Sequence, residues 1–438
     1  MRVIIASRIF EPEPSAASFR LGALAAGFVE RGHRVRVLTV RPVAELRAGR
    51  GAVGDAERSY RVSRYPVLRD ESGYVRGYLQ YLSFDLPLFF RILLGPKPDA
   101  IVVEPPPTSV FFATLAARLR RIPIFAYAAD VWSDASESTG APGFVVRAVR
   151  RMERFGWTRA RGVYAVNDGV AERVRQIAPG AAVETVGNGI DTEVFRPDGP
   201  VAEEALALAS GDPYAIYTGT ASEWQGAEIF VRAVAEIQRS GTPLRLVFLG
   251  QGTAFDELRR VANELGARVE FHDPVPPAEA AAWLRGAAVS LASIRPGAGY
   301  DFAYPTKVFA AWACGTPVVY AGPGPAREVL GAEPELGIGV DYDTAEVAAA
   351  IGQVLDSSGR ARESRESRES IAAWAREHVS LRGVAGRAVA FTRARLGGAR
   401  APGDGALGDG APAPEPALGD GASAPGDSAP ALEEGRKP

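Results

Sequence analysis

Residues 2–40, RVIIASRIFEPEPSAASFRLGALAAGFVERGHRVRVLTV, contain the pattern that decides the fold. Residues 3–6 form a short apolar run, and residues 18–31 carry apolar side chains at helical spacing before Gly32. Residues 35–40 form a second apolar run. Short β-branched runs of this kind are typical of parallel strands covered on both faces. The stretch therefore predicts a strand, a helix and a second strand.

The same alternation continues through both halves of the chain. Strand-like runs lie at residues 100–103, 124–127 and 163–166, and then at 214–217, 244–249, 269–271, 289–292 and 318–320. Two arrays of this type predict an α/β protein with two doubly wound Rossmann-like domains that face a central cleft. Ligands of such sheets bind at the carboxyl ends of the strands, where exposed helix N-termini favour phosphate groups.

The composition along the chain suggests four segments. We predict a first domain at 1–197, a second domain at 198–370, a C-terminal helix at 371–398 and a disordered tail at 399–438. Residues 401–438 contain no aromatic residue, isoleucine or valine, and seven acidic and two basic residues give them a net charge of −5. Such a Gly, Ala, Pro and Asp tail cannot bury enough apolar area to offset the entropy of ordering.

Charge and composition exclude several classes of protein. The 438 residues carry a net charge of −2, so no basic field is present to attract nucleic acid. One cysteine and three histidines make a disulfide framework or a Cys- or His-rich metal site improbable, and we expect no metal and no other cofactor. No serine or cysteine nucleophile motif accompanies the histidines, so a hydrolase triad is unsupported.

The sequence predicts a cytoplasmic protein. The apolar start of the chain is too short for a signal peptide. The most apolar long stretch, residues 78–94, contains Asp85, Pro87 and Arg91, so it does not qualify as a membrane span. Attachment to the inner face of the cell membrane stays open, because the aromatic-rich segment 74–90, with Arg76 and Arg91, could dock on a lipid surface. The alternative is a helix packed in the core of the first domain.

The strongest chemical motif is IRPGAGYDFAYPTKVFAAWACGTPVVYAGPG, residues 294–324. Lysine occurs three times in the chain, against 47 arginines, and Lys307 starts a predicted helix directly after Pro305 and Thr306. A compact ammonium group at a helix N-terminus adds to the positive field of the exposed amides and would stabilise a diphosphate. Arg295, at the end of the preceding strand, could supply a second positive group.

Weaker signals each have a structural alternative. Gly250 and Gly252 in GQGTAF either form a tight turn or bring backbone amides to a ligand. Arg20, in the first helical turn beside Ser18, either binds an anion or is simply exposed. Asp130, after the 124–127 run, either faces the cleft or precedes a capped helix. The DYD motif at 341–343 is interpreted as a solvated turn rather than a metal site.

Five segments in order resemble retaining family-4 glycosyltransferases of the GT-B fold. They are residues 7–40, AADVWSDAS at 128–136, VGNGIDTEVFRP at 186–197, TGTASEWQGAEIFVRAV at 218–234 and YPTKVFAAWACGTPVV at 304–319. The resemblance covers about residues 1–395 and is greatest to the branch that builds bacterial envelope and O-antigen-type glycans. It implies that the protein transfers a sugar from a nucleotide diphosphate sugar, with retention of configuration at the anomeric carbon and without a metal.

The resemblance also implies where the substrates bind. The acceptor lies mainly on the first domain and the donor on the second, and a final helix crosses back to the first domain. Lys307, Arg295 and Asp130 are the catalytic candidates. Ser18, Arg20 and Asn188 are expected on the acceptor side. The candidates for binding the nucleotide sugar are Gly219, Thr220, Gln225, Gly250, Gly252, Val275, Tyr304, Pro305 and Thr306.

Three positions depart from the family pattern. The glutamate that usually holds the donor ribose is Ala310, the lysine common in the first loop of the second domain is Gln225, and the usual histidine after the fifth strand aligns near Ala129. These changes affect expected contacts with the nucleotide and the sugar.

The sequence therefore predicts a glycosyltransferase of the hexosyl or N-acetylhexosaminyl type, acting in polysaccharide biosynthesis. Its partners would be the nucleotide-sugar donor and a glycan, lipid-linked or small-molecule acceptor. One alternative is a nucleotide-sugar-binding protein without turnover, such as a partner subunit of another transferase. A nicotinamide oxidoreductase is poorly supported, because neither array has the full glycine fingerprint.

Overall fold

The computed structural model describes residues 1–13, 15–43, 54–55, 57–70, 75, 77–138, 140–209, 212–361 and 365–397. The tail predicted to be disordered, residues 399–438, lies outside this set, as do Tyr74 and Arg76 of the segment considered for membrane docking.

The first half of the chain builds a parallel sheet of seven strands in the order β3-β2-β1-β4-β5-β6-β7. The chain order reverses between β1 and β4, which is the topological switch point where such sheets bind ligands. The strands are β1 (Arg2–Ala6), β2 (Arg34–Val40), β3 (Arg61–Tyr65), β4 (Ala100–Val103), β5 (Ile124–Ala128), β6 (Gly162–Ala165) and β7 (Val183–Thr185).

The second half builds a parallel sheet of six strands in the order β10-β9-β8-β11-β12-β13, with its switch point between β8 and β11. Together the two sheets confirm the predicted α/β fold of two Rossmann-like domains. The strands are β8 (Tyr214–Thr220), β9 (Arg245–Gln251), β10 (Val269–His272), β11 (Val289–Ser293), β12 (Val318–Ala321) and β13 (Gly337–Val340).

Helices cover the sheets. In the first half they are α1 (Ala16–Glu30), α2 (Tyr78–Leu94), α3 (Pro107–Leu119), α4 (Trp132–Ser138), α5 (Gly143–Arg159) and α6 (Asp168–Ile177). In the second half they are α7 (Glu203–Ala209), α8 (Glu228–Arg239), α9 (Phe255–Leu265), α10 (Pro277–Gly286), α11 (Thr306–Ala313), α12 (Pro325–Ala332) and α13 (Thr344–Ala361). Within the described ranges, no helix combines the length and apolar character needed to cross a bilayer.

Two final helices divide between the halves. Helix α14 (Arg365–His378) buries Ile371 and Ala375 in the core of the second half. Helix α15 (Leu381–Leu396) buries Val384 and Val389 in the core of the first half. The chain changes partner at Val379–Leu381, where the backbone of Ile190 donates to Val379 at 2.8 Å and accepts from Leu381 at 2.9 Å. Residues Met1–Gly397 thereby form a single compact unit.

Candidate active site

The two halves of this unit meet around a cavity of about 400 Å³. The loops after β6 and β7 line one side of it, and the segments that lead into α11 and α12 line the other. Asn167 joins the two sides, because its Nδ2 donates to the Phe302 carbonyl oxygen at 3.1 Å. The Phe302 side chain itself packs against the core of the first half. Residues of both sheets can therefore reach one ligand.

Lys307 lies in the first turn of α11, at the carboxyl edge of the second sheet. Its Nζ donates to the Thr220 carbonyl oxygen at 3.1 Å and lies 3.4 Å from the centroid of the Tyr217 ring. Burial lowers the pKa of the Lys307 ammonium well below its usual value, and no carboxylate contributes to that shift. The ammonium is thus held by a carbonyl and an aromatic face, both of which leave its charge uncompensated.

The segment before Lys307 offers further polar groups to an anion. Pro305 is the N-cap of α11, so the first-turn amides are exposed at the helix N-terminus without a side-chain cap. Tyr304 lines the cavity, packs edge-on against Phe309, and has a buried hydroxyl without a hydrogen-bond partner among the described residues. Thr306 begins the helix itself. A buried hydroxyl without a hydrogen-bond partner is costly to leave unsatisfied.

Arg295 does not add a free charge. Its guanidinium pairs with Glu228, the first residue of α8, and its backbone N–H donates to the Trp224 carbonyl at 2.9 Å. The Tyr342 hydroxyl donates to the Gly226 carbonyl at 2.6 Å and lies 3.1 Å from the Glu228 carboxylate. Arg295 would have to exchange Glu228 for a phosphate before it could stabilise a leaving group.

The first loop of the second half has its own internal bonds. Gly219 and Thr220, at the end of β8, are exposed, and a Cβ atom on Gly219 would meet nothing within 4 Å. The Gln225 side chain instead caps its own turn, accepting from the Ser222 N–H at 2.9 Å. Val275, after β10, is half-buried against the core of the second half. The backbone of Gln225 is engaged as well, because its N–H donates to the Ser222 carbonyl at 3.0 Å and its carbonyl accepts from Ser293 Oγ at 2.6 Å.

Gly250 and Gly252 serve close backbone packing. A Cβ atom on Gly250 would collide with the Gly219 carbonyl, and one on Gly252 with the Ala221 carbonyl. Both glycines have φ near +150°, which other residues rarely adopt. Ala221 donates to the Gln251 carbonyl at 2.9 Å in the same turn. The glycines are therefore explained by the approach of β9 to the loop after β8, without a ligand.

The acceptor-side candidates Ser18 and Arg20 are buried. Ser18 belongs to the cap of α1, where its N–H donates to Ser15 Oγ at 3.1 Å. The Arg20 guanidinium forms a 2.5 Å ion pair with Glu104, and it lies 4.8 Å from the centroid of the Tyr127 ring. Arg20 is 4% exposed. This changes the interpretation of Arg20: it is the fifth residue of α1, after the first turn, and Glu104 rather than a bound anion compensates its charge.

Asp130 follows β5 and is exposed at the carboxyl edge of the first sheet. Despite this exposure, the protein around the Asp130 carboxylate partly desolvates it, which raises its pKa. The nearby Arg20 charge acts in the opposite direction. The next turn is fixed by Glu153, which accepts from the Trp132 N–H at 2.7 Å and from the Ser133 N–H at 3.3 Å. Asp130 is thus an accessible carboxylate on a firmly held loop.

Asn188 was expected on the acceptor side and lines the cavity, where its Oδ1 accepts from the Gly189 N–H at 3.0 Å. Three other residues near the site were not predicted from the sequence. Glu104, Asn167 and Glu153 were not singled out, although each follows a strand or lies in an amphipathic helix. A polar residue directly after a buried strand is a usable signal for Glu104 and Asn167, because strand ends face the cleft.

The DYD motif is occupied by structural contacts. Asp341 pairs with Arg327, and Asp343 caps α13 by accepting from the Ala345 N–H at 2.9 Å. Among the residues that the structure describes, no group of three His, Cys, Asp or Glu side chains is arranged to hold a metal ion.

Two family models match the chain in sequence. Residues 16–189 match a model described as a glycosyl transferase 4-like domain, and residues 212–357 match one described as glycosyl transferases group 1. The first segment therefore belongs to a glycosyltransferase 4-like domain and the second to a group 1 domain. In this order, on two Rossmann-like sheets, the two matched segments have the arrangement of the GT-B fold. The matches do not reach the finer level of the O-antigen branch.

Curated relatives resemble about half of the chain. A D-inositol 3-phosphate glycosyltransferase of Acidothermus cellulolyticus is 30% identical over 50% of this chain and 48% of its own length. A GDP-mannose-dependent alpha-(1-6)-phosphatidylinositol monomannoside mannosyltransferase of Mycolicibacterium smegmatis is 31% identical over 42% of this chain and 50% of its own length. The chain thus spans about half the length of the curated relatives it matches.

Solved structures support the fold over most of the chain. Anabaena HepE in complex with UDP has a TM-score of 0.65 at 16% identity, covering 90% of this chain and 100% of that one. Sucrose-phosphate synthase from Thermosynechococcus elongatus has a TM-score of 0.71 at 15% identity, covering 91% and 99%. Identities this low establish the likeness of fold alone.

Proposed function

We propose that the chain is a retaining, metal-independent glycosyltransferase that uses a nucleotide diphosphate sugar as donor. The observation that carries the proposal is the position of Lys307 at the N-terminus of α11, where its ammonium contacts the Thr220 carbonyl and the Tyr217 ring and has no carboxylate partner among the described residues. A diphosphate is the ligand that compensates such a charge. The group transferred would be a hexose or an N-acetylhexosamine.

The proposed mechanism requires the enzyme to stabilise a leaving group. As the glycosidic bond to the diphosphate breaks, negative charge grows on the β-phosphate, and Lys307 and the first amides of α11 stabilise it. The acceptor hydroxyl attacks from the face that the leaving group departs, and a phosphate oxygen takes its proton. This scheme uses no protein nucleophile. Asp130 and Asn188 would orient hydroxyl groups of the acceptor or the sugar, and Arg20 would act through Glu104.

The partners are also part of the proposal. The relatives named above act on inositol phosphate or phosphatidylinositol mannoside, and the Anabaena structure holds UDP, so they suggest several donors and acceptors. A glycan, a lipid-linked sugar or a small molecule would fit the acceptor side. Polysaccharide biosynthesis at the inner face of the cell membrane is the setting that we propose.

The test begins with the donor and then measures the rate. A thermal-shift screen of UDP-, GDP- and dTDP-sugars identifies the retained nucleotide, and the release of that nucleotide is then measured with candidate acceptors. We expect Lys307→Ala to lower the rate by about 10²–10³, as removal of one preorganised donor typically does. Lys97→Ala is the matched control, because Lys97 is exposed in a turn at the opposite edge of the first sheet. A near-normal rate in Lys307→Ala would contradict the proposal.

A second candidate function follows from Ala310. This position, where related transferases usually carry a glutamate, is occupied by a methyl group that is 6% exposed within the core of the second half. Without that carboxylate, the chain could bind nucleotide sugars as a partner subunit without turning them over. Tight donor binding with no nucleotide release for any acceptor tested would favour this function.

A further inference from the structure

The outer face of α2 exposes a continuous apolar stripe. Its members recur every three or four residues and therefore lie on one side of the helix. They are Leu79, Leu82, Leu86, Phe90 and Leu94. The two end residues, Leu79 and Leu94, are 69% and 79% exposed. The opposite side of α2 buries Phe84, Leu88 and Ile92 in the core, so the helix is apolar on both sides.

The neighbouring helices continue the apolar surface. Helix α2 packs on α3, and α3 packs on α5. Leu115 and Leu119 of α3 are exposed, as is Phe144 at the start of α5. We call the exposed side of α2, α3 and α5 the helical face. It carries eight of the twelve large hydrophobic side chains that are exposed among the described residues, so these side chains are concentrated and not scattered.

The charges on the helical face have one sign. The three helices contain two carboxylates, Asp85 and Glu153, and both are buried, at 0% and 2% exposure. Asp85 accepts a hydrogen bond from Ser109, and Glu153 caps α4. By contrast, α5 exposes Arg147, Arg151 and Arg154 at helical spacing, and these three form no ion pair with any residue that the structure describes. The chain has 52 acidic residues, but these three helices expose none of them. The exposed charges on the helical face are therefore positive.

We propose that the helical face binds the surface of an anionic lipid bilayer. The leucines and phenylalanines would enter the boundary between headgroups and acyl chains, and the arginines would contact the anionic headgroups. A second copy of the chain fits less well. A twofold interface would place the same face on both partners, so arginines would meet arginines without a carboxylate to pair them.

The helical face lies next to the candidate acceptor side. Tyr81 of α2 packs edge-on against Trp132, with ring centroids 6.4 Å apart, and Trp132 follows Asp130 by two residues. Arg8, which follows β1, lies 4.5 Å from the centroid of the Tyr81 ring. A bilayer on this face would therefore lie beside the cleft edge that carries Asp130. Membrane binding itself does not depend on the proposed transferase activity.

The experiment is flotation of the full chain with phosphatidylcholine vesicles, prepared with and without phosphatidylglycerol. We expect the protein to float with the anionic vesicles, to bind neutral vesicles more weakly, and to lose binding as salt is added. The double variant Leu86→Glu/Phe90→Glu should bind at least about tenfold more weakly, since two apolar side chains no longer enter the membrane. Leu206→Glu, at an exposed leucine on α7, is its control.

A second set of variants tests the charges and keeps the apolar stripe intact. Arg147→Glu/Arg151→Glu/Arg154→Glu should weaken binding to anionic vesicles by about 100-fold or more, and the charge-matched Arg196→Glu/Arg232→Glu/Arg239→Glu should not. Unchanged melting temperature and nucleotide binding show that the fold and the donor site are intact. The proposal is wrong if the wild type does not float with anionic vesicles, or if both sets of variants bind like it. It is also wrong if sedimentation shows a dimer that Leu86→Glu/Phe90→Glu disperses.

Discussion

At the scale of single residues, Lys307 shows how an unusual residue can mark a candidate site. Its rarity in an arginine-rich chain and its place at a helix start were visible in the sequence. The structure adds its partners, the Thr220 carbonyl and the face of Tyr217, neither of which carries a full negative charge. The lowered pKa follows from this surrounding, because burial disfavours the ammonium form and no carboxylate opposes it.

This pKa leads to a prediction for ligand binding. A bound diphosphate should raise the lowered pKa of Lys307 towards its usual value, so binding should take up protons, and affinity should fall as the pH rises above the pKa of the free protein. Calorimetry in two buffers of different ionisation enthalpy measures the protons taken up. The uptake should disappear in Lys307→Met and persist in Lys97→Met. Equal uptake in both variants would assign the proton to another group.

Arg20 shows what residue-level reasoning lacks. The sequence indicated that an arginine at a helix start needs an anion, but not which one. The anion is Glu104, 84 residues away, and the two meet because α1 and the end of β4 share the carboxyl edge of one sheet. An ion pair at this burial is costly to break, since either partner alone would be an uncompensated charge in the protein interior.

At the scale of elements, the strands missed by the sequence prediction are β3, β7 and β13. All three lie at sheet edges. Edge strands are covered less completely than central ones, and residues of β3 and β7 are at most half-buried. They therefore lack the continuous apolar run that identified β4, β5 and β12, whose residues are buried throughout.

The element α4 depends on a carboxylate from another helix, and this leads to a second prediction. Burial raises the pKa of Glu153 to about 7 from the ordinary 4.5. Because the folded state holds this proton more tightly, the stability that it contributes is present below pH 4.5 and is lost as the pH rises through 7. The free energy of unfolding should fall by on the order of 3 kcal/mol across this pH range.

Glu153→Gln should remove that share of the pH dependence. Urea unfolding of both proteins at pH values across this window measures it as a difference in the free energy of unfolding. Asp85, whose pKa burial raises to about 6, shifts stability in the same direction but is present in both proteins, so it cancels. Identical pH profiles for the wild type and Glu153→Gln would show that Glu153 does not titrate in this window.

At the scale of the whole molecule, the C-terminal helices connect the two halves. Helix α15 packs on α1, and a Cβ atom on Gly27 would come within 3.0 Å of the Ala385 Cβ. On the other side of α15, the Tyr164 hydroxyl and Thr392 Oγ1 are 2.5 Å apart. The first half is therefore completed by residues that follow the entire second half in sequence.

The close approach at Gly27 gives the third prediction. Gly27→Leu should force α15 away from α1 and destabilise the chain by about 1–3 kcal/mol, as overpacking of a well-packed contact does. Gly352→Leu on α13 is the control, because a Cβ atom there meets nothing within 4 Å. Hydrogen exchange should show the loss of protection in α1, α15 and the first sheet, with the second sheet little changed. Uniform loss across both sheets would contradict this division.

The sequence by itself determined the fold class and marked Lys307 as a candidate site residue. Alternating apolar runs specify buried parallel strands and their covering helices through local periodicity, and a lysine after Pro305 and Thr306 marks a helix N-terminus. Only the tertiary structure decided which charges are compensated. Glu104 neutralises Arg20 and Glu228 neutralises Arg295 across 84 and 67 residues, whereas Lys307 meets a carbonyl and a ring. Such pairings depend on which strand ends lie side by side, and no local pattern of residues encodes that.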